Sequence, residues 1–128
     1  MESKRLRPHS AARFSASQHR FSLKESLETL REEAHAGVGG HRQMTIFHRA
    51  PVTMVLFAFE ANGELSDHAA NGLVTIQALD GCVLVAAEER NYELRAGEVL
   101  VLSPNVRHSV RAQIASAMLL TVCLEGDN

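Results

Sequence analysis

Apolar positions recur along this chain in two periods, and the change from one to the other divides it. Leu23, Leu27, Leu30 and Ala34 return at helical spacing on one face, with Ser22 and Glu25 forming a capping-box pair ahead of them. The spacing predicts a helix over 23–35, with Glu28, Arg31 and Glu32 off the stripe and facing water. Gly37, Gly39 and Gly40 then stop it and begin a loop. From Gln43 onward the period is that of strands. Eight runs, near 43–48, 52–60, 73–79, 82–87, 91–95, 98–103, 107–113 and 117–124, are rich in Val, Ile, Leu, Thr and Phe. Ala50-Pro51, Asn62-Gly63, Asp80-Gly81, Ala96-Gly97 and Pro104-Asn105 separate most of them, residue types that start turns or accept positive φ. Short strands at this spacing predict an all-β sandwich or barrel, with the helix docked on it or on a second subunit. Alternation within the strands puts Leu56, Ala58, Val74, Ile76, Leu100, Leu102, Val110 and Leu120 on the interior wall.

Residues 1–20 follow neither period. They hold Pro8, several serines and five basic residues (Lys4, Arg5, Arg7, Arg13, Arg20) against Glu2. Such a segment has too little apolar surface to offset the entropy of ordering, so a flexible basic tail is expected. The rest of the chain is acidic, eight basic residues facing fourteen acidic ones. An overall charge of -2 without a basic surplus on the folded part excludes nucleic acid as the main partner. No run approaches the roughly 18 apolar residues of a membrane span, and a cytoplasmic location is expected. A length of 128 residues allows one core. Cys82 and Cys123 lack the spacing of a redox or zinc motif and read as small buried apolar residues.

Two histidines stand out among the strands. His68 lies thirteen residues before Gly81, and His108 eleven after Gly97. The pair resembles the two motifs of the cupin superfamily over about residues 43–124. The first motif runs Gly, five residues, His-x-His, three or four residues, Glu, six residues, Gly. Counted back from Gly81, its histidines fall on His68 and Ala70 and its glutamate on Val74, with Gly63 one place off the leading glycine. The second falls on Gly97, Pro104 and His108, with Asn105 in place of the turn glycine and Ala112 in place of the closing asparagine. The resemblance implies a double-stranded β-helix, or jelly-roll barrel, over 41–126, preceded by a helix and Gly-rich loop at 21–40. It places His68 and His108 on neighbouring strands, pointing into the barrel mouth. It also implies a metal site of three histidines and a glutamate, of which two ligands are kept.

Neutral imidazole suits Zn, Ni, Fe or Mn, but a stable site takes at least three protein ligands. Glu64, Asp67, Gln77, Tyr92 and His48 are the side chains that could complete it. The alternative is that His68 and His108 are hydrogen-bonded polar groups inside the barrel. His41 and His48 read as surface or satisfied strand residues, Arg107 points away from the pocket, and Glu88, Glu89 and Arg90 form a polar hairpin tip. The function expected is a small barrel that binds a small molecule or a divalent metal through His68 and His108. Two alternatives stay open: a metal-dependent dioxygenase or isomerase, or a ligand-sensing barrel that signals through a protein partner. A homodimer is expected, because the leucine face and the apolar runs Met44–Phe47 and Val52–Phe59 exceed what one small barrel can cover.

Overall fold

The computed structural model describes residues 13–126. Helix α1 (Leu23–Arg31) precedes nine strands: β1 (His41–Arg49), β2 (Val52–Phe59), β3 (Glu64–His68), β4 (Gly72–Asp80), β5 (Cys82–Ala87), β6 (Arg90–Arg95), β7 (Val99–Leu102), β8 (His108–Arg111) and β9 (Ser116–Leu124). They form two antiparallel sheets, β1-β2-β9-β4-β7 and β3-β8-β5-β6, whose inner faces enclose one core. The all-β jelly roll, with helix α1 ahead of the strands, is therefore present.

The core layer follows from period-two alternation. Val55, Phe57 and Phe59 of β2, Val74 and Ile76 of β4, and Leu120 of β9 point inward from one sheet. Val83 and Val85 of β5 and Val110 of β8 meet them from the other. Leu56 and Ala58 do not belong to this wall, contrary to the sequence reading. They face outward and pack with Leu30, Ile46 and Leu119 under α1. Strand β2 is buried on both faces, so its apolar run is nearly continuous and alternation cannot assign its sides. This second cluster also covers, within one chain, the leucine face and first strands on which a partner was expected to dock.

Ser22 caps α1 as anticipated, its Oγ accepting from Glu25 N at 3.1 Å. The helix stops at Arg31 rather than 35, where the Glu32 N–H turns back to the Thr29 carbonyl and the Glu33 N–H to the Leu30 carbonyl, each at 3.2 Å. Ala34 and His35 fall beyond it, and Arg42 Nε donates to the Glu33 carbonyl, tying the following loop to β1. Strand β3 was missed because Glu-Leu-Ser-Asp-His carries one apolar residue. Leu65 is its one apolar side chain on the core. Asn62 and Asn105 adopt positive φ at turns, the conformation their type tolerates. Gly81, at φ 74°, has no substitute, since a Cβ there would lie 2.3 Å from Ser116 Oγ.

Of the expected flexible tail, residues 1–12 lie outside the described residues; in the remainder Phe14 and His19 pack on β1, while Ser15–Gln18 and Arg20 are exposed. Phe14 is 3% exposed. Its ring meets Phe47 of β1 at 5.3 Å, His19 meets the same ring at 5.2 Å, and Arg13 donates to the Thr45 carbonyl. Aromatic residues without a period leave no sequence signal, yet three rings and a cation on one edge strand suffice to order the segment. Neither cysteine is buried as expected: Cys82 is half-buried and Cys123 is exposed on the outer face of β9.

Candidate functional site

The paired histidines sit where β3 runs beside β8. Register is regular at Glu64↔Arg111 and Leu65↔Val110, then shifts, and the shift brings His68 directly opposite His108. Their ring centroids are 4.2 Å apart with planes tilted by 59°. Each ring is held the same way. His68 Nδ1 lies 2.8 Å from the Ser66 carbonyl and His108 Nδ1 lies 3.1 Å from the Val106 carbonyl. A carbonyl only accepts, so each Nδ1 donates, and the neutral ring carries its lone pair on Nε2. This is the arrangement by which backbone carbonyls orient imidazoles for a ligand.

His108 is 1% exposed, and its Nε2 is buried without a hydrogen-bond partner among the described residues. Burial pushes its pKa below the usual 6.5; the Val106 carbonyl pulls it back up, His68 lowers it further, and Asp67 raises it. The side chain is thus a neutral base with a desolvated, unused acceptor. Its protonation should mark the pH dependence of stability. The unfolded chain binds the extra proton more readily, so His108's contribution is complete above about pH 6.5 and declines as pH falls below it. Urea unfolding between about pH 7.5 and 5 should show that decline, and His108→Leu should flatten it. Equal slopes for both chains would contradict the burial argument.

The remaining candidates disperse. Glu64 lies on the outer face of its sheet, in register with Arg111. Asp67 pairs outward with Arg107, whose Nε and Nη2 approach at 3.1 and 3.0 Å, so Arg107 does point out of the barrel. Gln77 faces outward between Val99 and Leu119. His48 Nδ1 is 2.8 Å from Thr53 Oγ1, and His41 engages the Glu64 carbonyl and Gln43 Oε1 while lying against Phe57 and Phe59. Only Tyr92 of the five turns inward, packed on the core opposite Val85.

A groove of about 610 Å³ opens at this end of the barrel. Ala87, Tyr92, Leu102 and Val106 form its apolar floor, and Ser103 with the Glu88–Glu89–Arg90 hairpin tip forms its rim. Neither histidine lines it; it approaches them through Ala87, the register partner of His108, and Val106, whose carbonyl holds His108. Val106 and Ala87 escaped the sequence reading. The signal for Val106 was its place two residues before a histidine, repeated at Ser66 and His68. A second hollow of similar volume lies on the outer face of the four-stranded sheet, among Ser66, Ser109, Asn91 and Arg111.

The donor set tests whether a metal fits. Both Nε2 atoms have the right chemistry, yet Ala70 packs on the core and Val74 is buried where the resembled motif has its other ligands. No group of three or more His, Cys, Asp or Glu side chains gathers at one point among the described residues. Two imidazoles do not make a tight resident metal site.

No family model and no curated protein sequence matches the chain. Solved structures do resemble it. A conserved protein of unknown function from Streptococcus pyogenes superposes with a TM-score of 0.69 at 17% identity, covering 88% of this chain and 92% of that one. A cupin superfamily protein from Desulfitobacterium hafniense gives 0.70 at 19% identity, over 84% and 94%. An RmlC-like cupin from Shewanella frigidimarina gives 0.65 at 16%, over 76% and 88%. At these identities the likeness concerns the fold.

Proposed function

We propose that this chain, a barrel with the fold of the cupin superfamily, binds a small molecule at the barrel end where His68 and His108 meet. The observation that carries the reading is His108 Nε2, a neutral, buried acceptor with no partner among the described residues, held in place by the Val106 carbonyl. An unpaired buried acceptor costs on the order of 1–3 kcal/mol, and a ligand donor that reaches it recovers that energy. The groove floor of Ala87, Tyr92, Leu102 and Val106 suits an apolar body. The ligand class is therefore a compact molecule with one hydroxyl or N–H donor on an apolar frame. A divalent metal would have to take most of its coordination from that molecule or from water. A dioxygenase or isomerase would need donors that Ala70 and Val74 do not supply.

Calorimetric titration with phenol, with toluene as the donorless control, and with zinc alone tests the reading. Phenol should bind at least about tenfold more tightly than toluene, the value of one recovered hydrogen bond. Tight stoichiometric zinc uptake would replace the small-molecule reading with a metal one. Equal affinity for phenol and toluene would remove the histidines from recognition.

A further inference from the structure

The hollow of about 610 Å³ on the outer face of the four-stranded sheet has an ordered floor. Val85 of β5, Leu94 of β6 and Val110 of β8 turn to the core, so the residues beside them turn outward. Register sets these in two rows: Arg111, Leu84 and Glu93 stand side by side, and Ser109, Ala86 and Asn91 stand next to them. An apolar strip, Leu84 and Ala86, therefore runs along the middle of the hollow, with a guanidinium on one flank and a carboxylate on the other. With strands about 4.8 Å apart, the backbones that carry the two charges are about 10 Å from one another. Arg111 makes no ion pair among the described residues, although Glu64 is its register partner on β3. Glu93 accepts from Arg95 through Oε1 at 3.1 Å, which leaves Oε2 for another donor.

We propose that this hollow binds an ω-amino acid, a linear zwitterion with a run of methylenes between its ammonium and its carboxylate. The carboxylate meets Arg111, whose planar fork of donors suits it, the methylenes cross Leu84 beside the space that Ala86 leaves open, and the ammonium meets Glu93. The order of charges selects this class. A simple anion at Arg111 would face Glu64 on one side and Glu93 on the other without carrying anything to offset them. A neutral apolar molecule would strip water from two charged heads and leave them unpaired. An α-amino acid holds its charges too close together to reach both flanks of Leu84. The Glu93–Arg95 pair competes little, since both side chains are exposed and such pairs contribute little. The same exposure keeps the affinity for the zwitterion modest, with a dissociation constant on the order of millimolar. His108 points inward from the same sheet and is buried, so the outer hollow is independent of the ligand reading at the histidines.

Amide ¹H–¹⁵N spectra of the full chain, titrated at low salt with 6-aminohexanoate, hexanoate, hexylamine and alanine, test this. The zwitterion 6-aminohexanoate should move the amides of Leu84, Ala86, Asn91 and Ser109, bind at least about fivefold more tightly than each of the other three, and weaken in about 0.5 M salt. Arg111→Met should reduce its affinity to that of hexylamine, and Glu93→Gln to that of hexanoate. Both positions face outward from their strands, so the fold should survive, checked by an unchanged urea midpoint. Equal affinity for 6-aminohexanoate and either single-charge probe overturns the proposal, as do shifts confined to the histidine end or no shift at about 100 mM probe. Alanine binding as tightly as 6-aminohexanoate overturns it as well, because adjacent charges would then suffice. So does a variant that binds the zwitterion as the wild type does.

Discussion

Replacing Ile76 by alanine is expected to lower the free energy of unfolding by about 2–5 kcal/mol. The residue is fully buried in the middle of β4, between Leu100 on one side and Leu120 on the other, facing the opposite sheet. Truncation removes three carbons from a layer filled by Val74, Phe57, Val83 and Val85, which strand pairing prevents from closing in. A urea-denaturation midpoint measured with an unchanged slope gives the loss directly. The value separates two pictures of the barrel. A packed centre gives the full loss, while a hollow interior around Ile76 would give less than about 1 kcal/mol, because few contacts would vanish.

His108→Leu should behave in the opposite way, leaving stability within about 1 kcal/mol of wild type while removing ligand affinity by tenfold or more. Leucine is similar in size to the imidazole. It forfeits the Nδ1 bond to the Val106 carbonyl but also eliminates the buried, unpaired Nε2, and the two changes oppose each other. Stability by chemical denaturation and affinity by calorimetry are read on the same protein. A purely structural histidine would give a stability loss of roughly 1–3 kcal/mol and no affinity to lose. A drop in stability with binding unchanged would therefore contradict the site.

The sequence disclosed those parts of the fold that depend on local chemistry. The Ser22 cap, the positive φ of Asn105 and the inward set of Ile76, Val74 and Val110 could each be read from residue type and alternation. Legibility failed where a residue's role depends on which element covers it. Leu56 and Ala58 alternate like wall residues only if β2 has one buried face, and the arrival of α1 gives it two. Strand β3 was hidden for a related reason, because Leu65 supplies its single inward apolar side chain and pairing with β8 does the rest. Phe14 and His19 were invisible because packing on Phe47 requires a fold that the tail's own composition does not announce. At the site, spacing identified His68 and His108 as a pair. It could not show the register shift that sets them face to face, nor that Ser66 and Val106 hold both rings by their backbones.

Everything proposed for the site turns on a lone pair at His108 Nε2. The side-chain nitrogen spectrum of His108 in ¹⁵N-labelled protein at neutral pH, before and after addition of phenol, measures it most directly. The expected result is a neutral ring with its proton on Nδ1 and a bare Nε2 whose resonance moves when the hydroxyl probe is added and stays still with toluene. A proton already on Nε2, or a bare Nε2 that no donor probe perturbs, would contradict the account.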